Sequence, residues 1–123
     1  MTAPLPIALC NSRDLLEGSI AVPFDVRYQG QTCRAFAVRF EGRPHAYLNR
    51  CSHVAMEMDF QPDRFFDDTG QWLLCASHGA AYRPDTGECA GGPCRSGLVK
   101  IDLSERDGVV HWHTAHQLLP VEF

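Results

Sequence analysis

The sequence has no long apolar run and little positive charge. No stretch approaches the roughly 20 apolar residues that a membrane-spanning helix needs. The first ten residues, MTAPLPIALC, have neither the basic start nor the apolar centre of a secretion signal. Lysine and arginine total 11 against 15 acidic residues, a net charge of −4, whereas nucleic acids and anionic membranes select for clustered basic residues. We therefore expect a cytoplasmic protein with neither nucleic acid nor a membrane as its partner.

Long helical periods, internal repeats and linker-like tracts are also missing, so the 123 residues are expected to form one domain. Short alternating segments with turn residues between them predict an all-β fold, a small antiparallel barrel or sandwich. A single helical turn capped by Ser12 is expected before Gly18. Asp107-Gly108 predicts a tight hairpin, as do the turn residues at 28–31 and 41–44. The strand candidates are 21–28, 33–40, 43–49, 71–74, 98–103 and 109–113.

Six cysteines in a reducing compartment do not indicate three disulfides. Cys10 and Cys33 lie in strand-like segments, where free buried thiols are common. We expect Cys89 and Cys94 to be reduced thiols too, although a labile disulfide between them is the alternative. Metal binding is the more common role for cysteines that cluster with histidine.

Two stretches each pair a cysteine with a histidine, as Cys51-x-His53 and Cys75-x-x-His78. Thiolate and imidazole bind both zinc and iron, so the ligand types leave the metal open. Zinc fingers usually pair like with like, whereas here each half supplies one sulfur and one nitrogen. In one kind of two-iron cluster two cysteines hold one iron and two histidines the other. Two loops that each give one ligand to each iron satisfy that requirement.

On these residues the chain resembles the Rieske 2Fe–2S ferredoxins. Tyr82 and the run DTGECAGGP at residues 85–93 also match. The resemblance implies that Cys51 and Cys75 bind the inner iron of one cluster, and that His53 and His78 bind the outer iron. It also implies an all-β base domain that carries a two-loop cluster-binding subdomain at about residues 49–95, within a single domain of residues 1–123.

The resemblance further assigns residues that surround the cluster. Tyr82 falls where the family has a tyrosine that donates a hydrogen bond to a cysteine sulfur. A glycine-rich loop ending in proline is expected to cover the cluster from a third side. The full set of surrounding residues is Val54, Ala55, Gly79, Ala80, Tyr82, Gly91, Gly92 and Pro93.

Three positions depart from the high-potential members of the family. Met56 and Ser77 stand where those proteins have cysteines joined by a disulfide, and Ala80 stands where they have a serine that donates to a bridging sulfide. Fewer hydrogen bonds to the sulfurs disfavour reduction. The resemblance therefore points to the low-potential ferredoxin branch.

The function implied is one-electron transfer from a flavin reductase to an oxygenase or similar acceptor, with no small-molecule substrate site identified. We expect a component of an enzyme system rather than an enzyme by itself. Two alternatives stay open: a Rieske-like small subunit of a larger oxidoreductase, such as a nitrite reductase, and a zinc-binding module without a redox role.

Three weaker features have ordinary structural interpretations. His111 and His113 are expected to occupy an exposed strand face rather than a metal site. Phe65-Phe66 is expected to fix its loop to the core. The acidic side chains around it are expected to form a solvated face, with a docking patch for a basic reductase as the alternative; they are Glu57, Asp59, Asp63, Asp67 and Asp68.

Overall fold

Three glycine-containing turns reverse the direction of the chain and join pairs of antiparallel strands. The central residue pairs Gln29-Gly30, Glu41-Gly42 and Asp107-Gly108 all have positive φ, with values of 50 and 80°, 52 and 77°, and 53 and 77°. Two consecutive positive φ angles match the right-handed twist of a two-residue β-hairpin, and glycine adopts them without steric cost. The hairpins expected at these three positions are confirmed.

The computed structural model describes residues 6–18, 20–49, 64–67, 69–75, 79–92, 97–113 and 118–120. Within these ranges the strands form three antiparallel sheets, in the orders β1-β10-β9, β11-β2-β3-β4-β8 and β5-β6-β7. A 3₁₀ turn occupies Ser12–Asp14. The strands are β1 Pro6–Asn11, β2 Val22–Tyr28, β3 Gln31–Phe40, β4 Arg43–Leu48, β5 Leu73–Cys75, β6 Ala80–Tyr82, β7 Cys89–Gly91, β8 Lys100–Ile101, β9 Leu103–Arg106, β10 Val109–His113 and β11 Leu118–Pro120.

The expected antiparallel all-β class is confirmed, and over the described ranges each sheet stays open rather than closing into a barrel. Some details of the prediction are wrong. The segment 98–103 is divided at Asp102 between β8 and β9, and the helical turn is shorter than expected. Asn11, not Ser12, is the residue before that turn, and its side chain makes no capping hydrogen bond. No helix among the described residues has the length and apolarity to cross a membrane.

The five-stranded sheet is buried on both faces. Ala35 and Ala37 of β3 pack in one core with Val110 and Trp112 of β10. The alternate residues Phe36 and Val38 pack in a second core with the β5-β6-β7 sheet. Since successive side chains of a strand point to opposite faces, β3 separates the two cores. The five-stranded sheet is therefore the middle layer of the fold.

Arg39, near the end of the central strand β3, joins the ends of several elements. Its Nε donates to the Leu15 carbonyl at 2.7 Å, and Nη2 and Nη1 donate to the Glu105 carboxylate at 2.6 and 3.2 Å. Further bonds reach the carbonyls of Ser12 at 3.2 Å and Gly42 at 3.0 Å. The side chain is only 14% exposed. One guanidinium therefore holds the 3₁₀ turn, the β3–β4 hairpin and β9 together.

Replacing Arg39 by methionine should keep most of the apolar stem and remove every donor. We expect a loss of about 2–3 kcal/mol in the free energy of unfolding, because partly buried carbonyls and a carboxylate lose charged partners. Urea titration followed by circular dichroism measures this loss. Arg27→Met, at an exposed position of β2, is the matched control and should change stability by less than about 0.5 kcal/mol. Equal effects of the two substitutions would contradict the role given to Arg39.

Candidate metal centre

The second cysteine–histidine stretch is built on the β5–β6 hairpin. β5 ends at Cys75, β6 begins at Ala80, and these two residues lie opposite each other in the ladder. The Gly79 N–H donates to the Cys75 carbonyl at 2.9 Å, and Gly79 has a φ of 72°. Cys75 is therefore held at the tip of a closed hairpin. His78 belongs to the connection, outside the described residues.

One face of this hairpin is fully buried. Leu73, Cys75, Ala80 and Tyr82 have no exposed surface, whereas the intervening Leu74 and Ala81 are only half-buried. Cys75 is not part of a disulfide. Diagonal neighbours across a ladder lie about 7–8 Å apart, within reach of an aromatic side chain. The Tyr82 ring and the Cys75 sulfur therefore share a dry face, which suits a soft metal bound by thiolate.

The end of β7 lies against the tip of the same hairpin. Gly92 has a φ of 81°, and a Cβ placed on it would lie 2.6 Å from the Gly79 carbonyl oxygen and 2.9 Å from the Ala80 Cα. Only a residue without a side chain allows this approach. The glycine-rich loop thus touches the hairpin that carries Cys75, as expected of a loop that covers a metal centre. Pro93 lies outside the described residues.

The strand that leads to the first cysteine–histidine stretch is firmly placed. The Leu48 N–H donates to the Val99 carbonyl at 3.0 Å, and the Asn49 N–H donates to the Arg34 carbonyl at 2.9 Å. Asn49 is buried, with 7% exposure. The chain is therefore fixed up to two residues before the predicted ligand at position 51. Cys51, His53, Val54 and Ala55 themselves lie outside the described residues.

Of the four predicted ligands only Cys75 is described, and the described ranges contain no group of three or more histidine, cysteine or acidic side chains close enough to hold a metal. The structure does bring Cys75 together with Gly79, Ala80, Tyr82 and Gly92. Gly91 lies beside them, paired with Ala81 across the β6–β7 ladder. The four-ligand set stays a prediction, and the one described ligand, Cys75, and the small residues around it fit that prediction.

Tyr47 is a residue of this region that the sequence analysis missed. It is fully buried, and its hydroxyl donates to the Pro84 carbonyl at 2.8 Å. Burial, reinforced by the Asp85 carboxylate, raises the pKa of Tyr47, so the hydroxyl stays a donor at neutral pH. The alternating pattern of β4 indicates only which face Tyr47 occupies. It gives no sign of a bond to a turn 37 residues further along the chain.

The acidic segment before β5 is tied to the core and to its own turn. Phe65 stacks on Phe36 with ring centroids 3.7 Å apart and planes inclined by 9°, and Phe66 packs against the same core. The expectation that Phe65-Phe66 fixes its loop to the core is confirmed. An Asp67 oxygen accepts from the Thr69 hydroxyl at 2.7 Å and from the Gln71 N–H at 3.2 Å. Burial acts to raise the pKa of Asp67, but these bonds and one from the Trp72 N–H outweigh it and lower the pKa. Asp67 therefore serves the turn; Glu57, Asp59, Asp63 and Asp68 lie outside the described residues.

The other cysteines and histidines differ in their surroundings. Cys89 is disulfide-bonded, so the expectation of a reduced thiol there is wrong, whereas Cys10 and Cys33 are free and half-buried. Cys94 lies outside the described residues. His111 and His113 are half-buried rather than exposed as expected, and His113 lies 2.8 Å from the Ser104 hydroxyl.

Solved structures with the same fold include two ferredoxins and an oxygenase. The ferredoxin of carbazole 1,9a-dioxygenase from Nocardioides aromaticivorans IC177 is 21% identical with a TM-score of 0.68, over 87% of this chain and 95% of that one. The ferredoxin-sized chain in a complex of reduced oxygenase and oxidized ferredoxin of carbazole 1,9a-dioxygenase is 21% identical with a TM-score of 0.67, over 88% and 92% of the two chains. The terminal oxygenase from the same Nocardioides strain is 18% identical with a TM-score of 0.68, over 95% of this chain but 32% of its own.

Sequence comparison gives the family directly. No curated protein matches the chain significantly. The model of the Rieske [2Fe-2S] domain matches residues 6–109, which include both cysteine–histidine stretches, Tyr82 and the glycine-rich loop. The chain therefore belongs to the Rieske [2Fe-2S] domain family.

Proposed function

We propose that the protein is a one-electron carrier that binds one Rieske-type [2Fe–2S] cluster and transfers electrons from a reductase to an oxygenase or a similar acceptor. The observation that carries this proposal is the position of Cys75. It is a buried cysteine outside any disulfide, at the tip of a hairpin and opposite Ala80. Gly92, after β7, contacts the same hairpin tip. Family membership supplies the cofactor class, and the residues at the tip fit it.

The proposed ligands are Cys51 and Cys75 for the inner iron and His53 and His78 for the outer iron. When bound, a cluster of this type takes up and gives back one electron. The chain itself keeps water from the Cys75 sulfur with Leu73 and Tyr82, which are fully buried. Tyr82 is the proposed donor to that sulfur. The surrounding backbone belongs to the proposed residues Val54, Ala55, Gly79, Ala80, Gly91, Gly92 and Pro93.

The proposed acceptor follows from the kind of protein that shares this fold. Two similar structures are, by their descriptions, ferredoxins of a dioxygenase, and one of them is in complex with its oxygenase. An oxygenase is therefore the proposed acceptor, and a flavin reductase is the proposed donor. We also propose the cytoplasm as the compartment, because Cys10, Cys33 and Cys75 are outside disulfides and Cys75 has to remain a thiol until it binds metal. The disulfide at Cys89 is an exception to the usual state of thiols there.

The cluster itself is the first test. Purified protein should be red-brown and contain about two irons and two acid-labile sulfides per chain. After reduction its electron-spin resonance should show an average g below the free-electron value. His78→Ala should lose the cluster, because an iron ligand is gone. His111→Ala, at a half-buried position of β10, is the control and should retain it. Colourless protein with one zinc per chain would support the zinc-module alternative instead.

The reduction potential tests the hydrogen bonds to the sulfurs. We expect a midpoint near the low end of the Rieske range, about −150 mV. Ala80→Ser should raise it, because a new donor stabilises the more negative reduced state, and Tyr82→Phe should lower it for the opposite reason. Ala81→Ser, on the half-buried opposite face of β6, is the matched control and should leave the potential unchanged. Voltammetry that gives a clearly positive midpoint, or shifts of reversed sign, would contradict the proposal.

The exit route of the electron tests the role as a carrier. The proposed histidines hold the outer iron, so the acceptor should dock over them through a small, transient contact, below about 1,200 Å². Val54→Glu should slow transfer about tenfold in stopped-flow measurements by placing a buried charge in that contact, with colour and potential unaltered. Leu16→Glu is the control, because Leu16 is 60% exposed and lies beside the Arg39 end of the sheet. Equal transfer rates in both variants would mean that the electron leaves elsewhere.

A further inference from the structure

The turn between β6 and β7, residues 83–88, is bound to the middle layer by two neighbouring side chains. Tyr47 of β4 and Lys100 of β8 are direct partners in the ladder, so both side chains point to the same face. The Tyr47 hydroxyl donates to the Pro84 carbonyl at 2.8 Å. The Lys100 ammonium donates to the next carbonyl, that of Asp85, at 2.7 Å. Two consecutive carbonyls of the turn are thus held from one site on the sheet.

The backbone of the same turn also packs against the Tyr47 ring. A Cβ on Gly87 would lie 2.6 Å from the ring carbon Cε1, so only glycine lets the backbone come this close. The Gly87 carbonyl accepts from the Leu98 N–H at 2.8 Å, and the Gly87 N–H donates to the Arg83 carbonyl at 2.8 Å. The Lys100 ammonium also stands 5.9 Å from the centre of the Tyr47 ring. Hydrogen bonds therefore fix the position of the turn along the sheet, and its contact with the Tyr47 ring fixes its distance from the sheet.

This attachment matters for the metal centre because the turn leads directly into β7. β7 pairs with β6 at only two positions, Tyr82 with Cys89 and Ala81 with Gly91, and the register shifts between them. Such a short, bulged pairing by itself contributes little to the position of β7, which also carries the disulfide of Cys89. Its far end is the Gly92 contact with the Gly79 carbonyl. The near end is the turn that Tyr47 and Lys100 hold.

We propose that Tyr47, with Lys100 beside it, is a positioning residue for the cluster: it sets how closely the glycine-rich loop covers the Cys75 hairpin. The inference rests on the proposed function, since it concerns the environment of the cluster that this function requires. Without the Tyr47 hydroxyl the Pro84 carbonyl loses its buried donor, and the loop opens. Water then reaches the metal centre, where it stabilises the reduced, more negative state and assists ligand exchange.

The test is Tyr47→Phe in the cluster-loaded protein, a substitution that keeps the ring against Gly87 and removes only the hydroxyl. We expect the equilibrium constant for one-electron reduction to rise about threefold, measured as an upward shift of the midpoint potential. Release of iron from the oxidised protein to a chelator should accelerate about tenfold. Amide hydrogen exchange at Leu98, measured on protein without the cluster, should also become faster.

Val26→Ala is the matched control for general destabilisation. Val26 is fully buried but belongs to the other core, on the far side of the middle layer. It should lower the free energy of unfolding and leave the potential unchanged. Equal potentials in native protein and Tyr47→Phe, or an equal shift in Val26→Ala, would overturn the inference. Native protein without a cluster would instead overturn the proposed function, so the two failures are distinguishable.

If Tyr47→Phe does not fold, the Lys100 substitutions decide. Lys100 is exposed, so Lys100→Met should fold, release iron faster and shift the potential in the same direction by a smaller factor. Lys100→Arg retains a donor for the Asp85 carbonyl and should restore native values. An unchanged potential in Lys100→Met, after Tyr47→Phe has failed to fold, would overturn the inference.

Discussion

The fold depends on the burial of β3 on both faces. Small side chains, Ala35 and Ala37, fill one side, and the bulkier Phe36 and Val38 fill the other. The aromatic side faces the β5-β6-β7 sheet, where Phe36 stacks on Phe65. If this strand slipped by one residue, the bulky side chains would enter the core that now holds alanines, and the alanines would leave cavities in the other core. The position of the Cys75 hairpin relative to the rest of the protein follows from that constraint.

Several charged side chains stabilise the backbone through hydrogen bonds. Arg39 binds three carbonyls besides Glu105, and the Glu17 carboxylate accepts from the N–H groups of Glu41 and Gly42 at 2.8 and 2.7 Å. Asp67 accepts from its own turn. Each of these side chains replaces water as the partner of a loop amide or carbonyl.

Local chemistry determines what could be predicted from the sequence. The hairpins at Gln29-Gly30, Glu41-Gly42 and Asp107-Gly108 were predictable because glycine after a polar residue favours one turn type. The three-residue strands β6 and β7 were not, since a strand of three residues is too short to show an alternating pattern. Cys75 followed from its spacing to His78, whereas the bond from Tyr47 to Pro84 joins residues distant in sequence. The disulfide state of Cys89 was missed because composition predicts a compartment, not the geometry around one cysteine.

The disulfide at Cys89 changes how electrons must be counted in this protein. Cys89 pairs with Tyr82 in the β6–β7 ladder, so a second reducible group, its disulfide, stands one strand away from the proposed one-electron centre. A disulfide takes up two electrons where a Rieske cluster takes up one. With one such cluster bound, complete reduction of the chain would therefore consume about three electron equivalents, one for the cluster and two for the disulfide. A reductive titration read only from total dithionite uptake will overestimate the number of clusters, and optical or spin-resonance quantification has to supply that number.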